Sequence, residues 1–355
     1  MDAYTTLGVE EEFLVVDDVG APVAAAPAVL AALPPSRFKP ELQLEQLEAV
    51  TAPHVALSSL DADLFDGRRQ AAAAADSAGV YLHAIGAPLL APPARTPDAA
   101  GRPGAVHATY AAITDRYLAC GCHVHVGVAD FEDAVAVVNQ VRPWLPVLLA
   151  LSANSPMCGG VDTGYASWRV VEQSRFPGFG VPPHFDGADD YEARVAKLVE
   201  CGVLVDERMS FWLVRPSPVY PTVEFRVADA AASVDDAVLQ AALCRGLVRT
   251  ALRDVRMGVA PPRIDSQVAA AAVWTAARHG TSGPAIDMRA EVQVPMMSHV
   301  EELVAHIAEQ LDAVGDLQTV RTLVDLVRER GCGAQRQRRV AREGVPALAK
   351  QLRVT

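Results

Sequence analysis

A chain of 355 residues is long enough for one large domain or two ordinary ones. With 51% hydrophobic residues it can bury a substantial core, which excludes disorder as a description of the whole. A formal charge of −12 argues against a nucleic-acid partner, whose phosphates would repel it, and suits a protein that gathers cations.

The chain begins with charged sequence, Gly8-Val9-Glu10-Glu11-Glu12, and shows neither the basic nor the apolar region of a secretory signal. The longest uncharged stretch, Pro143 to Val161, is interrupted by Pro146, Asn154 and Pro156, so no membrane span is expected. Six cysteines without a regular framework then read as reduced thiols, and the expected location is the cytoplasm.

Residues 8–16 alternate as a strand does. Glu10 and Glu12 fall on one face with Leu14, and Glu11 on the other with Phe13 and Val15. Two carboxylates two residues apart repel unless a cation lies between them, although an exposed strand end would also tolerate them. The Pro- and Ala-rich stretches Ala21 to Pro40 and Ala87 to Pro103 read as loops. Between them, Glu41 to Thr51 is ambiguous: a helix would align Glu41, Glu45 and Glu48, whereas a strand would separate Glu45 from Glu48.

Residues 119–128 predict a second strand, with His123 and His125 on one face and Cys122, Val124 and Val126 on the other. The apolar face is a core face, so the histidines look into something else, a metal or anion site being as good a reading as a satisfied pair. From Ser155 to Arg169 the chain is rich in glycine and hydroxyls. Its backbone N–H groups could cradle a phosphate, although it matches no Walker sequence. In Pro221 to Val227, Thr222, Glu224 and Arg226 share one face. That pattern fits a cross-strand ion pair, or a metal-binding carboxylate beside a guanidinium suited to phosphate. Ser233 followed by Asp235 and Asp236 marks a helix start. The stripe Arg245, Arg249, Arg253 and Arg256 along that helix reads as a solvated face rather than an anion site. Beyond Pro262 the pattern turns helical, with amphipathic segments near Val300 to Val314 and Leu317 to Arg330. No βαβ alternation appears, which predicts an α+β fold with an antiparallel sheet and helices on one side.

Taken in order, Gly8-Val9-Glu10-Glu11-Glu12-Phe13, Glu41 with Glu48 and Thr51, and His123-Val124-His125-Val126-Gly127 form a recognisable series. It continues through Asp162 to Arg169, Arg215-Pro216-Ser217-Pro218, Thr222-Val223-Glu224-Phe225-Arg226 with Asp229, and Gly333 to Arg338. The series resembles the glutamate–cysteine ligase type 2 group, the carboxylate–amine ligases, from about residue 5 to 340. That resemblance implies a fold related to the glutamine synthetase catalytic domain, with a curved, mainly antiparallel sheet lining the active site and helices outside. It is expected as a single catalytic domain over residues 1–355 whose part from about 262 is mostly helical. The resemblance also implies ATP-dependent amide formation between a carboxylate and an amine through an acyl phosphate. Glu10, Glu12, Glu48, His123 and Glu224 would correspond to ligands of Mg²⁺ or Mn²⁺, with His125 a further ligand or a substrate contact. Arg226, Arg215 and Arg169 would be catalytic. Thr163, Ser167, Arg169, Thr222 and Arg226 would contact the nucleotide. The partners implied are small, amino-acid-like carboxylate and amine substrates, with no membrane or nucleic acid, and a homo-oligomer is compatible with the pattern.

Ala228 before Asp229, and Trp274 followed by Ala277-Arg278-His279-Gly280, depart from the group's usual residues and leave the substrate pair open. Two other readings compete: a metal-dependent amide hydrolase built on His123 and His125, and a catalytically silent homologue.

Overall fold

The computed structural model describes residues 6–91 and 101–355. Part of the stretch read as a loop from Ala87 therefore lies outside the described residues. The strands are β1 (Leu7–Val16), β2 (Phe38–Pro40), β3 (Gln46–Val50), β4 (Tyr81–His83), β5 (Gly121–Gly127), β6 (Met157–Cys158), β7 (Val161–Asp162), β8 (Val214–Pro216), β9 (Thr222–Asp229), β10 (Pro284–Asp287) and β11 (Val292–Pro295). The helices are α1 (Ala26–Leu30), α2 (Leu57–Ser77), α3 (Gly101–Tyr110), α4 (Phe131–Val141), α5 (Leu145–Ser152), α6 (Trp168–Gln173), α7 (Ala188–Glu200), α8 (Val234–Arg256), α9 (Ser266–His279), α10 (Met296–Asp312), α11 (Leu317–Arg330), α12 (Gly333–Ala341) and α13 (Val345–Gln351).

Seven strands make the main sheet in the order β2-β3-β1-β5-β9-β8, with β4 paired to the end of β1, and every pairing is antiparallel. The expectation of an α+β fold with helices beside an antiparallel sheet is met, but that of a sheet curved around the site is not. The strand path is open, running from β2 to β8 without returning on itself. Each edge strand is only three residues long, which leaves little backbone exposed for pairing and nothing long enough to close the path.

Strand alternation decides what each face does. Leu7, Val9, Cys122, Val124, Val126, Val223, Phe225 and Val227 are buried in one cluster with α4, α5 and α8. Glu11 lies on the helix side of β1 as well, where Arg68 of α2 neutralises it at 2.6 Å and also donates to the Ala231 carbonyl. The stretch 131–152 is apolar and long enough to cross a membrane, yet 89% of its most apolar 18 residues are buried inside the protein, as befits core helices. α8 begins as its sequence predicts, with the Ser233 hydroxyl accepting from the Asp236 N–H.

The arginine stripe on α8 corrects the reading of a solvated face. Arg245 is fully buried and its Nε donates to Asp316 at 2.9 Å, while Arg253 reaches Glu309 at 2.7 Å. α10 and α11 pack along this side of α8, so Arg245 and Arg253 belong to an interhelical seam, whereas Arg256 at the end of the helix is exposed as expected. Past residue 262 the chain is helical apart from the β10–β11 ribbon. Glu41 to Thr51 resolves as loop and then strand, because β3 is held between β1 and β2.

Candidate active site

On the face of the sheet away from α8, strand register lines up a polar row. Glu12 stands opposite Glu48, Glu10 opposite His123, His125 opposite Glu224, and Glu224 opposite Arg215. Residues from β3, β1, β5, β9 and β8 thus meet although 214 positions of sequence separate Glu10 from Glu224 (224 − 10). Directly opposed residues on neighbouring antiparallel strands hold their Cβ atoms about 5 Å apart, so the meeting follows from backbone pairing alone.

The contacts run along the row. His123 Nδ1 lies 3.4 Å from Glu10 and its Nε2 lies 3.7 Å from Glu12. His125 Nε2 is 3.4 Å from Glu10, and its Nδ1 is 2.8 Å from the Thr222 hydroxyl, which orients the ring. Two groups of potential ligand atoms, Glu10 with His123 and Glu224, and Glu12 with Glu48 and His123, each lie within 4.8 Å of one another. Glu224 is also clamped by arginines. Arg215 donates Nε and Nη2 to it at 2.8 and 3.2 Å, and Arg226 Nη1 donates to the same carboxylate. The cross-strand ion pair that the strand pattern allows is therefore present.

A pocket of about 200 Å³ opens beside the row, with Glu12, Glu41, Tyr117, His123, Arg169 and Arg226 among its walls. Arg169 is buried, its Nη2 donating to the Arg226 carbonyl at 3.1 Å. It lies so close over β5 that a Cβ at Gly121 would come within 2.6 Å of its Nη2. The same glycine's N–H donates to Glu12 at 2.6 Å.

Electrostatics divides the acids. Burial raises the Glu12 carboxyl to about 8, with Glu41 adding to the shift. Burial, then Glu10, Glu41 and Glu12, push Glu48 to about 9. Burial opposes ionisation of Glu224 too, but Arg226 and Arg215 outweigh it and hold that acid well below the usual range. For Glu10, burial is outweighed by His123 and His125. Burial and the neighbouring Arg226 push His123 down to about 4, so at neutral pH it acts on Glu10 as a hydrogen-bond donor rather than as a charge. A neutral imidazole among carboxylates, two of them held protonated chiefly by burial, is a donor set suited to a hard divalent cation.

Of the residues singled out in the sequence, Glu10, Glu12, Glu48, His123, His125, Thr222, Glu224, Arg226, Arg215 and Arg169 come together here. Thr163 and Ser167 do not line the pocket. The Thr163 hydroxyl donates to the Pro156 carbonyl and that of Ser167 donates to Asp229. Glu41, Gln46, Arg102, Tyr117 and Phe211 line the pocket and were not among the predicted contacts. Glu41 carried a signal, its place in the motif before β3. Gln46 shares the strand face of Glu48 two residues on, whereas Arg102, Tyr117 and Phe211 reach the pocket from elements whose approach no local pattern encodes.

A model of the family described as glutamate–cysteine ligase family 2 matches residues 6–351. A protein of Saccharopolyspora erythraea provisionally named glutamate–cysteine ligase 2-2 is 46% identical over 349 residues, 96% of this chain and 89% of that protein. Among solved structures, glutamate–cysteine ligase of Francisella tularensis, in complex with AMP, superposes with a TM-score of 0.70 at 14% identity, covering 98% of this chain and 88% of that one. The bifunctional glutathione synthetase of Pasteurella multocida gives 0.69 at 16% identity, covering 98% of this chain and 51% of that one, and at such identities the likeness is one of fold. The family match and the identity to curated relatives lead to one conclusion: the chain belongs to glutamate–cysteine ligase family 2, a family of ATP-dependent carboxylate–amine ligases.

Proposed function

We propose that this ligase activates an amino-acid carboxylate in the pocket between Glu12, Arg169 and Arg226, and joins it to an amine through an acyl phosphate. The observation that supports this reading most is the row from Glu48 to Arg215, which sets carboxylates and guanidinium groups side by side at one pocket. A carboxylate is a poor electrophile. Its oxygen attacks the γ-phosphorus of ATP and ADP departs; the amine nitrogen then attacks the acyl carbon, phosphate departs, and the nitrogen gives up a proton. Phosphoryl transfer of this kind depends on positioning and charge neutralisation rather than on a covalent nucleophile.

Glu10, Glu12, Glu48, His123 and Glu224 are the residues that would hold Mg²⁺ or Mn²⁺, with His125 joining them or meeting substrate. The cation, when bound, supplies positive charge against the phosphates and the crowded acids. Arg226 has a planar fork directed toward the row and neutralises the transferring phosphoryl. Arg169 faces the pocket and binds the substrate's carboxylate end, and Arg215 fixes Glu224 from the neighbouring strand. Thr222 orients His125. The hydroxyls of Thr163 and Ser167 brace the segment that delivers Arg169, and nucleotide contact is not assigned to them.

Relatives carry the names of glutamate and cysteine, which makes that pair the first to try. The test is phosphate release from ATP and Mg²⁺ with glutamate plus cysteine, then with each replaced across a panel of amino acids and small amines. Phosphate release that requires both an acid and an amine, with an amide product of matching mass, is expected. ATP-independent amide cleavage would instead favour the hydrolase reading, and inert protein across the whole panel would favour the silent homologue.

A further inference from the structure

On the opposite side of α6 from the pocket lies a larger cavity of about 800 Å³, between α6, the loop around Pro182 and α9. α6 separates the two spaces. Arg169 and Gln173 face the small pocket, whereas Val170, Val171 and Ser174 face the large cavity. Its walls are mostly hydrocarbon and aromatic, with Val181, Trp212, Val273 and Trp274 prominent, and its size is that of a site for a small organic molecule.

One wall is a guanidinium. Arg142, between α4 and α5, is 4% exposed, and its Nε and Nη1 are buried with no hydrogen-bond partner. Burial, together with the like charge of Arg263, disfavours its protonated form, and no carboxylate among the described residues pairs with it. The ring of His184 stands nearby, its Nε2 3.6 Å from Asp186 and its Nδ1 without a partner among the described residues. The acids of the lining are engaged or peripheral: Asp265 caps α9 by accepting from the Gln267 and Val268 N–H groups, and Glu291 is exposed at the rim. A buried arginine without a counter-ion is costly, and such groups are ordinarily paired or bound to something.

We propose that this cavity is a second ligand site, and that it takes a small organic carboxylate with an aromatic or branched apolar body. The carboxylate pairs with Arg142 and, at the rim, with Arg263, while the body replaces water against Trp212, Val273 and Trp274. A carboxylate with an apolar body suits the site better than inorganic phosphate does, because most of the wall is hydrocarbon and aromatic and only Arg142 supplies a buried charge. Nothing in this assignment depends on the chemistry proposed for the sheet face.

Calorimetric titration of the full chain tests it with 3-phenylpropionate, indole-3-propionate and 4-methylpentanoate, each beside its neutral amide, and with inorganic phosphate. At least one carboxylate is expected to bind saturably below about 1 mM, at least tenfold tighter than its amide and than phosphate. That binding should persist in Arg226→Lys, which alters only the sheet-face pocket, and weaken at least tenfold in Arg142→Met. Ala270→Phe, which narrows the cavity without touching the guanidinium, should weaken it as well. Arg142→Met is expected to melt no lower than the parent, since it removes an uncompensated charge. If it fails to fold, Ala270→Phe decides the matter. Absence of saturable binding by all three carboxylates up to about 10 mM overturns the proposal. So does amide binding as tight as acid, binding retained in Ala270→Phe, or binding lost in Arg226→Lys and kept in Arg142→Met.

Discussion

Glu12 and Ser167 are both buried polar residues in motifs of similar outward character, yet the structure employs them differently. Glu12 belongs to a row on one sheet face, where its carboxylate meets a histidine, a glycine N–H and other acids that it would repel if ionised. Ser167 belongs to the glycine-rich stretch before α6, where its hydroxyl donates to Asp229 and accepts from the Val170 N–H. Ser155 and the Asn154 N–H donate to the same aspartate. One region crowds mutually repelling acids at a pocket, and the other turns two hydroxyls and a backbone N–H onto a single buried aspartate. Unspent polarity at a pocket is the mark of a site; satisfied polarity is the mark of a brace.

The comparison is most exposed to substitutions in the row. Glu224→Gln and Arg226→Lys should each lower kcat roughly a hundredfold or more, because oriented charge is what the transfer needs. Nucleotide affinity should change far less, and circular dichroism should report an intact fold. Wild-type turnover in either variant would reduce that stretch of β9 to an ion pair. Ser167→Ala should behave in the opposite way. It deprives buried Asp229 of a donor and α6 of its cap, so urea melts should show a loss of about 1–3 kcal/mol with the ATP KM unchanged. A raised ATP KM at unaltered stability would return the loop to the nucleotide.

Protonation offers a subtler probe. Glu12 and Glu48 have folded values of about 8 and 9 against an ordinary 4.5, so the metal-free native state binds more protons than the unfolded chain between those limits. Their contribution to stability is therefore full below about 4.5 and is lost as pH rises through 8 to 9. EDTA-treated protein should lose melting temperature over that window, and Mg²⁺ or Mn²⁺ should restore more of it at pH 8.5 than at pH 5.5. An equal metal effect at both values would remove the cation from the row. The smallest expected effect is at Gly121. Gly121→Ala puts a Cβ against the Arg169 guanidinium and 3.0 Å from His123 Nε2, and should raise the acyl-substrate KM several-fold with a smaller fall in kcat. An unchanged KM would separate Arg169 from substrate binding.

Much of this was legible because a strand has a period of two. Once residues 8–16, 119–128 and 221–227 are strands, Glu10 and Glu12, His123 and His125, and Glu224 and Arg226 must each share a face. The Ser233 cap and the amphipathic helices were equally local, and the ordered motifs carried the family. Other matters had no local signature. Arg245 occupies a stripe that its own helix cannot distinguish from a solvated one, and it is buried because Asp316 at the start of α11 and the Val55 carbonyl before α2 close on it. The openness of the sheet depends on where β2 and β8 stop, and the destination of the Ser167 hydroxyl on a residue 62 positions away. Gly121 is required by an arginine arriving from α6, and the uncompensated charge of Arg142 exists only because other segments enclose it. Sequence determined the faces, since side-chain direction follows from backbone dihedrals within a few residues. Tertiary structure decided which faces meet and which charges find partners, since those are distances between segments that chain order does not encode.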